Sequence, residues 1–544
     1  MIEVRMDASG WPVRLVTDFA TEGRWSDETL GDWARRRAAE TPDALALVEG
    51  DVRMTYAALD HEARRIAAAF FAAGLRPGDV VSFQLPNWWE TVSLNLALAY
   101  AGLVANPIVP IYRDAELRFI IRDARSKAYI APQQFRNVDY EGLARRFARD
   151  CPDLRLILMM RADRTSFARW EDFVVSADGV DAPPLPPVDP DAVKLVMYTS
   201  GTTGKAKGVL HTHNSINTTV KTFRQRCGLR AGDAVFMPSP VTHITGYLFA
   251  LELVFVAGIK AVLMDRWNAV EAVRLIDEEK ATFSVGTTPF LTELIGAARA
   301  ADTRLPSLRF YMCGGAAVPP ELIRQGAAFF ENADVFRVYG ATETPDAALG
   351  PPGAGNMEKG AVTDGQITNY AIRIADPETG EILPAGTEGE ITLHGPQMMV
   401  GYSREEDNAE AFTSDGYVRT GDLGHVDDDG FLTITGRSKD LINRGGEKFS
   451  PKEVEDLLHT HPAIAEVAIV AMPHARLGET ACAFVVAATA APETPDLAAI
   501  VAFLEASGIA RQKFPERLEI VESLPMTASG KVRKNVLRDS LSTG

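Results

Sequence analysis

Apolar residues recur at helical spacing in Tyr56–Ala73 and again in Trp89–Ala101, and compact apolar runs at Asp79–Leu85 and Val104–Pro107 predict strands between and after them. Beyond residue 190 the same texture returns with greater regularity. The β-rich run Lys194–Tyr198, a helix starting near Asn214, a strand at Ala234–Met237 and a helix within Thr245–Ala257 lead to a strand at Lys260–Met264. A helix Ala269–Glu279, a strand Thr282–Val285, a helix after Pro289, a strand Leu308–Met312, a helix after Pro319 and a strand Val335–Val338 complete the series. Strands alternating with helices of about 10–15 residues predict βαβ units and parallel sheets.

Between the two series, Pro183, Pro184, Pro186, Pro187 and Pro190 forbid helix and withhold backbone donors, so Asp181–Asp191 reads as a connector. Two α/β lobes lying side by side are the expectation. From Gly365 to Gly436 short alternating strands punctuated by Gly386, Gly389, Gly395 and Gly401 predict a β-rich subdomain. A last unit from about Lys439 mixes strands, Glu466–Ala471 and Ala481–Ala487, with helices, Pro451–His459 and Ala498–Ala506, and is domain-sized by itself. The predicted class is therefore α/β, with a large domain over 1–438 and a small α+β domain over 439–544.

With 544 residues, and roughly 150 per domain, a lone binding module is excluded. Apolar residues at 46% and charged residues at 24% supply a core and exclude disorder as the theme. The net charge of −17 argues against nucleic acid and anionic membrane as partners, so an anionic ligand must be gathered by a locally basic pocket. Cys151, Cys227, Cys313 and Cys482 are scattered with no Cys-x-x-Cys, which suits a reducing cytoplasm better than a disulfide or zinc framework. The longest apolar stretch, Ile244–Met264, carries Glu252 and Lys260 and is broken by Gly258, so it reads as a core helix and strand and not as a membrane span.

The densest local chemistry is Thr199-Ser200-Gly201-Thr202-Thr203-Gly204-Lys205-Ala206-Lys207-Gly208, directly after a predicted strand. Glycines and small hydroxyl residues let N–H and O–H donors converge on phosphate oxygens, and lysines add charge. A Walker A loop would need glycine at Thr199 and a hydroxyl at Ala206; the plainer alternative is a flexible linker. The segment resembles the phosphate loop of the adenylate-forming superfamily, which includes acyl-CoA synthetases, peptide-synthetase adenylation domains and firefly-type luciferases. It departs from the usual pattern in carrying Ala206 where those proteins have proline.

Further segments resemble that superfamily in the expected order. In Tyr339-Gly340-Ala341-Thr342-Glu343 the likeness implies a tyrosine stacked on adenine, Thr342 on phosphate and Glu343 holding Mg²⁺. Gly314-Gly315-Ala316-Ala317 is similar to the segment lining adenine and the acyl carbonyl, and Asp422 to the acceptor for both ribose hydroxyls. In Gly436-Arg437-Ser438-Lys439 the resemblance makes Arg437 a ribose contact and Lys439 the pivot of a mobile small domain, with Gly445 and Gly446 meeting the pantetheine of CoA. Pro525-Met526-Thr527-Ala528-Ser529-Gly530-Lys531 resembles the segment that delivers the catalytic lysine, although Met526 replaces its first lysine. Taken alone, each has a bland counterpart: a strand end, tight packing, a turn or a surface lysine. His211 and His213 suggest a metal pair, but no carboxylate or cysteine stands at ligand spacing, and no Gly-x-Ser-x-Gly elbow of a hydrolase is present.

The resemblance implies formation of acyl-AMP from a carboxylic acid and ATP with Mg²⁺, with Lys531, Glu343 and Thr342 as catalytic residues, followed by thioester formation. No carrier domain with a Gly-Gly-x-Ser site follows, so free CoA is the expected acceptor, and a separate carrier protein is the alternative. Val241-Thr242-His243-Ile244-Thr245-Gly246 resembles the pocket entrance; Ile244 stands where amino-acid-activating relatives place an acidic residue, so an apolar acid is expected. His243, Ile244, Gly246, Thr288 and Gly314 are the expected pocket lining. Pro86-Asn87-Trp88-Trp89-Glu90 and Asn106–Arg113 give a texture similar to cyclohexanecarboxylate–CoA ligases, with medium-chain and aryl acids as other options. A luciferase-like member, and a nucleotide-binding regulator without catalysis, are the competing classes; a cytoplasmic monomer or homodimer is the expected form.

Overall fold

The computed structural model describes residues 2–16, 18–177, 185–199, 206–315, 318–350, 356–488, 494–526 and 531–541. Two large sheets dominate the N-terminal domain. In the first, eight strands run in the order Ala168–Arg169, Leu156–Met160, Ala128–Pro132, Val80–Phe83, Val104–Pro107, Val193–Thr199, Lys207–Thr212 and Gly401–Tyr402. Pairing is parallel up to Val193–Thr199, and the last two strands add on antiparallel. The second sheet has nine strands around a parallel centre of Asp334–Tyr339, Phe310–Gly314, Phe283–Gly286, Ala234–Met237, Lys260–Leu263 and Leu45–Glu49.

The proline connector does not divide the two lobes, contrary to the simplest reading of the sequence. Strands after it, Val193–Thr199 and Lys207–Thr212, complete the first sheet, whereas Leu45–Glu49 and Val52–Thr55, from far upstream, close one edge of the second. The β-rich region is likewise shared. Ala371–Ala375, Gly389–His394, Val418–Val426 and Leu432–Arg437 form a separate antiparallel sheet, but Gly401–Tyr402 joins the first large sheet and Gln366–Ile367 the second.

Helix bounds follow the local chemistry. Ala269–Glu279 begins where the Asn268 side chain accepts from the Glu271 amide and ends on Lys280 in the left-handed region. The helix expected after Pro289 starts one residue before it, at Thr288, with the proline in the first turn where its missing N–H costs nothing. The apolar stretch from Ile244 is helical as expected, but Tyr247–Glu252 is wound as a π-helical turn before Leu253–Ala257 continues as α. No helix among the described residues is long and apolar enough to cross a membrane.

One apolar cluster fills the space between the large sheets, and another lies under the helices on the far face of the second sheet. The small C-terminal domain has its own core of Ile442, Phe449, Val454, Leu458, Ile469, Val485, Ile500 and Leu504. Its sheet is built on the long hairpin of Ile464–His474 with Gly478–Ala487.

Candidate active site

In parallel α/β sheets a ligand meets the carboxyl ends of the strands, because loops and helix N-termini converge there. Several of the expected site residues fall at that edge. Thr199 ends a strand of the first sheet; Gly314 and Tyr339 end strands of the second, and Thr288 follows the one ending at Gly286. His243 lies six residues beyond the strand end at Met237 and caps the short helical turn Ile244–Gly246. Ser200, Gly201, Thr202, Thr203 and Gly204 of the phosphate loop, and Ala316 and Ala317, lie outside the described residues.

The base of that loop is tightly braced. Thr199 stands opposite Lys207 in an antiparallel pair, and the Lys207 ammonium lies 3.3 Å from Asp407 and over the ring of Tyr402. Tyr198 donates to Asp123 at 2.6 Å, and Ser403 donates to the same carboxylate oxygen at 2.9 Å.

Tyr402 in turn donates its hydroxyl to Glu343 Oε1 at 2.8 Å, fixing the carboxylate that follows the strand end at Tyr339. Burial and the Glu343 charge raise the Tyr402 pKa, so the phenol keeps its proton and remains a donor. Thr342 is buried, and its carbonyl accepts from His211 Nε2 at 2.7 Å. A carbonyl cannot donate, so Nε2 carries the hydrogen and Nδ1, 3.0 Å from the Ser215 hydroxyl, accepts. Burial holds His211 at about 4 and therefore neutral. His211 and Tyr402 thus hold Thr342 and Glu343 from two sides. Neither is legible as a brace in the sequence: His211 reads there only as half of a metal pair, and Tyr402 lies far along the chain on an edge strand.

Asp422 is the second anchor. It accepts from the Tyr339 hydroxyl at 2.7 Å and from Arg437 Nε at 2.6 Å, and it pairs directly across from Arg437 in the antiparallel sheet. A flat tyrosine face, a buried carboxylate and a guanidinium are thereby held within one hydrogen-bonded unit.

Lys531 reaches this unit from the small domain. Crowding by protein, and secondarily the charge of Arg437, lower its pKa, while Asp422 and Glu343 pull it upward. The residue as a whole is exposed, while its ammonium lies close enough to Arg437, Asp422 and Glu343 to feel their charges. His243 feels the same ammonium: burial holds its pKa at about 4 and Lys531 adds to the lowering. The structure therefore brings Glu343, Asp422, Arg437, His243 and Lys531 into one electrostatic neighbourhood.

The expected acid wall is built from close backbone contacts. A Cβ at Gly246 would stand 2.2 Å from the Pro240 carbonyl oxygen, and one at Gly314 would stand 2.5 Å from that of Val338, so only glycine permits either approach. Ile244 is buried, and Gly340 follows Tyr339 at the neighbouring strand end.

Gly315 is left-handed at φ 81°. Lys439 sits in the one-turn helix Ser438–Asp440, where its carbonyl accepts from Arg538 at 3.3 Å. Gly445 and Gly446, both at positive φ, form the two-residue turn between Ile442–Arg444 and Glu447–Phe449. Their amides bond within the small domain, to the Leu477 carbonyl and the Asn443 side chain.

Among the described residues no group of three His, Cys, Asp or Glu side chains could hold a metal ion alone. A lone carboxylate such as Glu343 fits Mg²⁺ nonetheless, because that ion takes one or two carboxylates and fills its remaining positions with water and phosphate oxygens.

The family model described as "AMP-binding enzyme" matches residues 34–403, and that described as "AMP-binding enzyme C-terminal domain" matches 453–531. The chain is 33% identical to the "Medium-chain fatty-acid–CoA ligase" of Escherichia coli (strain K12), over 96% of this chain and 92% of that protein. It is 33% identical to the "2,3-dihydroxybenzoate-AMP ligase" of Bacillus subtilis (strain 168), over 98% of this chain and 97% of that one. The ATP-bound structure of MatB from Rhodopseudomonas palustris superposes with a TM-score of 0.83 at 28% identity, covering 94% of this chain and 99% of the other.

Proposed function

Because this chain belongs to the AMP-binding enzyme family of adenylate-forming ligases, we propose that it activates an apolar carboxylic acid as acyl-AMP and passes the acyl group to the thiol of CoA. What supports the reading is that Asp422 binds Tyr339 and Arg437, that Tyr402 holds Glu343 just beyond the same strand end, and that Lys531 lies close enough to feel Arg437, Asp422 and Glu343.

A carboxylate is a poor acyl donor because its leaving group would be oxide. Attack of one carboxylate oxygen on the α-phosphorus of ATP forms the mixed anhydride and expels pyrophosphate; thiol attack on the acyl carbon then expels AMP. In the first step Lys531 and the phosphate-loop donors stabilise negative charge on the phosphate oxygens. Tyr339 offers its ring to adenine, and Asp422 accepts from ribose hydroxyls with Arg437 beside it. When bound, Mg²⁺ neutralises phosphate charge, and Glu343 is the residue that would hold it. Thr342 contacts phosphate, with its backbone fixed by His211.

The second step needs a different wall. We assign 1–438 to the large domain and 439–544 to the small one, hinged at Lys439, so that rotation withdraws Lys531 and brings Gly445 and Gly446 toward the pantetheine arm. For the acid, Ile244 offers no partner to an ammonium, which disfavours an amino acid.

A second reading has a carrier-bound thiol in place of CoA; the 2,3-dihydroxybenzoate-AMP ligase relative, as similar as the CoA ligase, favours it. Pyrophosphate release with acetate, octanoate, benzoate, cyclohexanecarboxylate and phenylalanine, with and without CoA, tests both. An apolar acid should lead, and thioester formation with free CoA separates the acceptors. Acetate or phenylalanine in front would overturn the pocket reading, and no acid-dependent pyrophosphate would overturn the reaction.

A further inference from the structure

The motif Pro86-Asn87-Trp88-Trp89-Glu90 is not used by the chemistry above, yet its asparagine reaches across the junction between the lobes. Asn87 follows the first-sheet strand Val80–Phe83 and is buried, with 4% of its surface exposed. Its Nδ2 donates to the carbonyls of Met237 at 3.2 Å and Ser239 at 2.9 Å, and its Oδ1 accepts from the amide of Val241 at 2.9 Å. All three contacts go to the segment that carries the chain from the second-sheet strand Ala234–Met237 to His243. Turning the amide over would set Oδ1 against two carbonyls, so the network admits one orientation.

That segment is itself part of the acid wall. The Pro240 carbonyl accepts from the His243 amide at 3.0 Å, and the same oxygen fills the space that a Cβ on Gly246 would need. The clamp is anchored on its own side as well. The Pro86 carbonyl accepts from the Trp88 amide at 2.8 Å and the Thr91 hydroxyl at 2.9 Å, and the Trp88 ring carries the Arg161 guanidinium, which is paired with Glu49 and Glu90.

We infer that Asn87 is a positioning residue for the acid-binding wall: from the first lobe it fixes the backbone of the second that presents His243 and Ile244. The inference rests on reading His243–Gly246 as that wall. The ATP-side groups Glu343, Asp422 and Arg437 are held by other partners, so loss of the clamp should act on the acid and leave the nucleotide largely alone.

The test pairs two measurements on the full chain carrying Asn87→Ala, with Asn87→Ser as the milder change should alanine fail to fold. Hydrogen exchange read by mass spectrometry on a peptide spanning 238–247 should speed up about tenfold, as expected when buried backbone hydrogen bonds are lost, with 193–199 unchanged. In pyrophosphate release, kcat/KM for the acid should fall about tenfold or more while KM for ATP stays within about twofold, and preference between octanoate and benzoate should flatten. Unchanged exchange at 238–247 overturns the clamp. Faster exchange with acid and ATP parameters falling together, or not at all, overturns the positioning role. If the unaltered protein supports no acid-dependent release, the proposed reaction fails, and the exchange measurement still decides whether Asn87 holds the loop.

Discussion

Replacing Lys531 by alanine should lower adenylation by about 10²–10³-fold, the usual loss when a group that stabilises charge on a transition state is removed. Thioester formation from supplied acyl-AMP should persist, since in that step the lysine is withdrawn. Equal loss in both half-reactions, measured separately by pyrophosphate exchange and by thioester yield, would sink the role. His211 gives a test of a different kind. Its pKa is held at about 4 in the folded chain, against about 6.5 when unfolded, so the unfolded state binds more protons between those values. The residue therefore withdraws stability as pH falls from 7 toward 5, of the order of 2 kcal/mol. Asp346, raised to about 7 by burial, acts with the opposite sign over the same window, so the whole stability curve is not diagnostic. The comparison of His211→Gln with the unaltered chain is: the variant should be less sensitive to that acidification in urea unfolding, and parallel curves would refute the neutral-histidine brace.

At the level of elements, Lys194 and Glu252 pose the sharpest question. Their ion pair, at 2.7 Å, is almost wholly buried, and Asn95 donates to the same carboxylate at 2.8 Å. It ties the strand that runs up to the phosphate loop to the π-helical turn below the acid wall. Lys194→Met leaves Glu252 charged without its cation and should destabilise by about 3–5 kcal/mol, whereas the double change Lys194→Met with Glu252→Leu should return near the original stability or exceed it. A single variant as stable as the parent in denaturant titration would disprove this.

The π turn was illegible in the sequence, because every residue from Tyr247 to Leu251 is apolar and the single charge of Glu252 gives no period to read. The strand Lys207–Thr212 was missed for a related reason: it is buried almost throughout and so shows no alternation, and it follows glycines. Ala269–Glu279 was legible to the residue because an asparagine cap and an amphipathic face bound it. The order of site motifs was legible, since each is local; Asn87, His211 and Tyr402 were not, since their value lies wholly in contacts between distant segments.

For the whole molecule, two contacts among the described residues bear on the orientation of the small domain. The Ser450 hydroxyl donates to the Thr435 carbonyl at 2.6 Å, and Lys448 pairs with Glu378 at 2.7 Å. A Cβ on Gly436 would stand 2.3 Å from Ser450 Oγ and 3.0 Å from its Cβ. Gly436→Ala should therefore disfavour the orientation in which Lys531 faces the cleft, slowing adenylation about tenfold, as a shift of about 1.4 kcal/mol between orientations would, while sparing thioester formation. Ser450→Gly in the same chain should restore the rate; failure of that rescue would refute the contact as the cause.

The interleaving of the two lobes also bears on how the chain comes to exist. Leu45–Glu49 has as its sheet partners Val52–Thr55 and Lys260–Leu263, and the latter is made far later. At about 5–20 residues per second, a ribosome needs about 10–40 s to travel from Glu49 to Lys260. Throughout that interval the strand bearing Ala46, Leu47 and Val48, all buried in the finished protein, has only a short hairpin to shield it. Emergence from the ribosome is thus a stage at which this chain is open to aggregation and stands to gain from a chaperone.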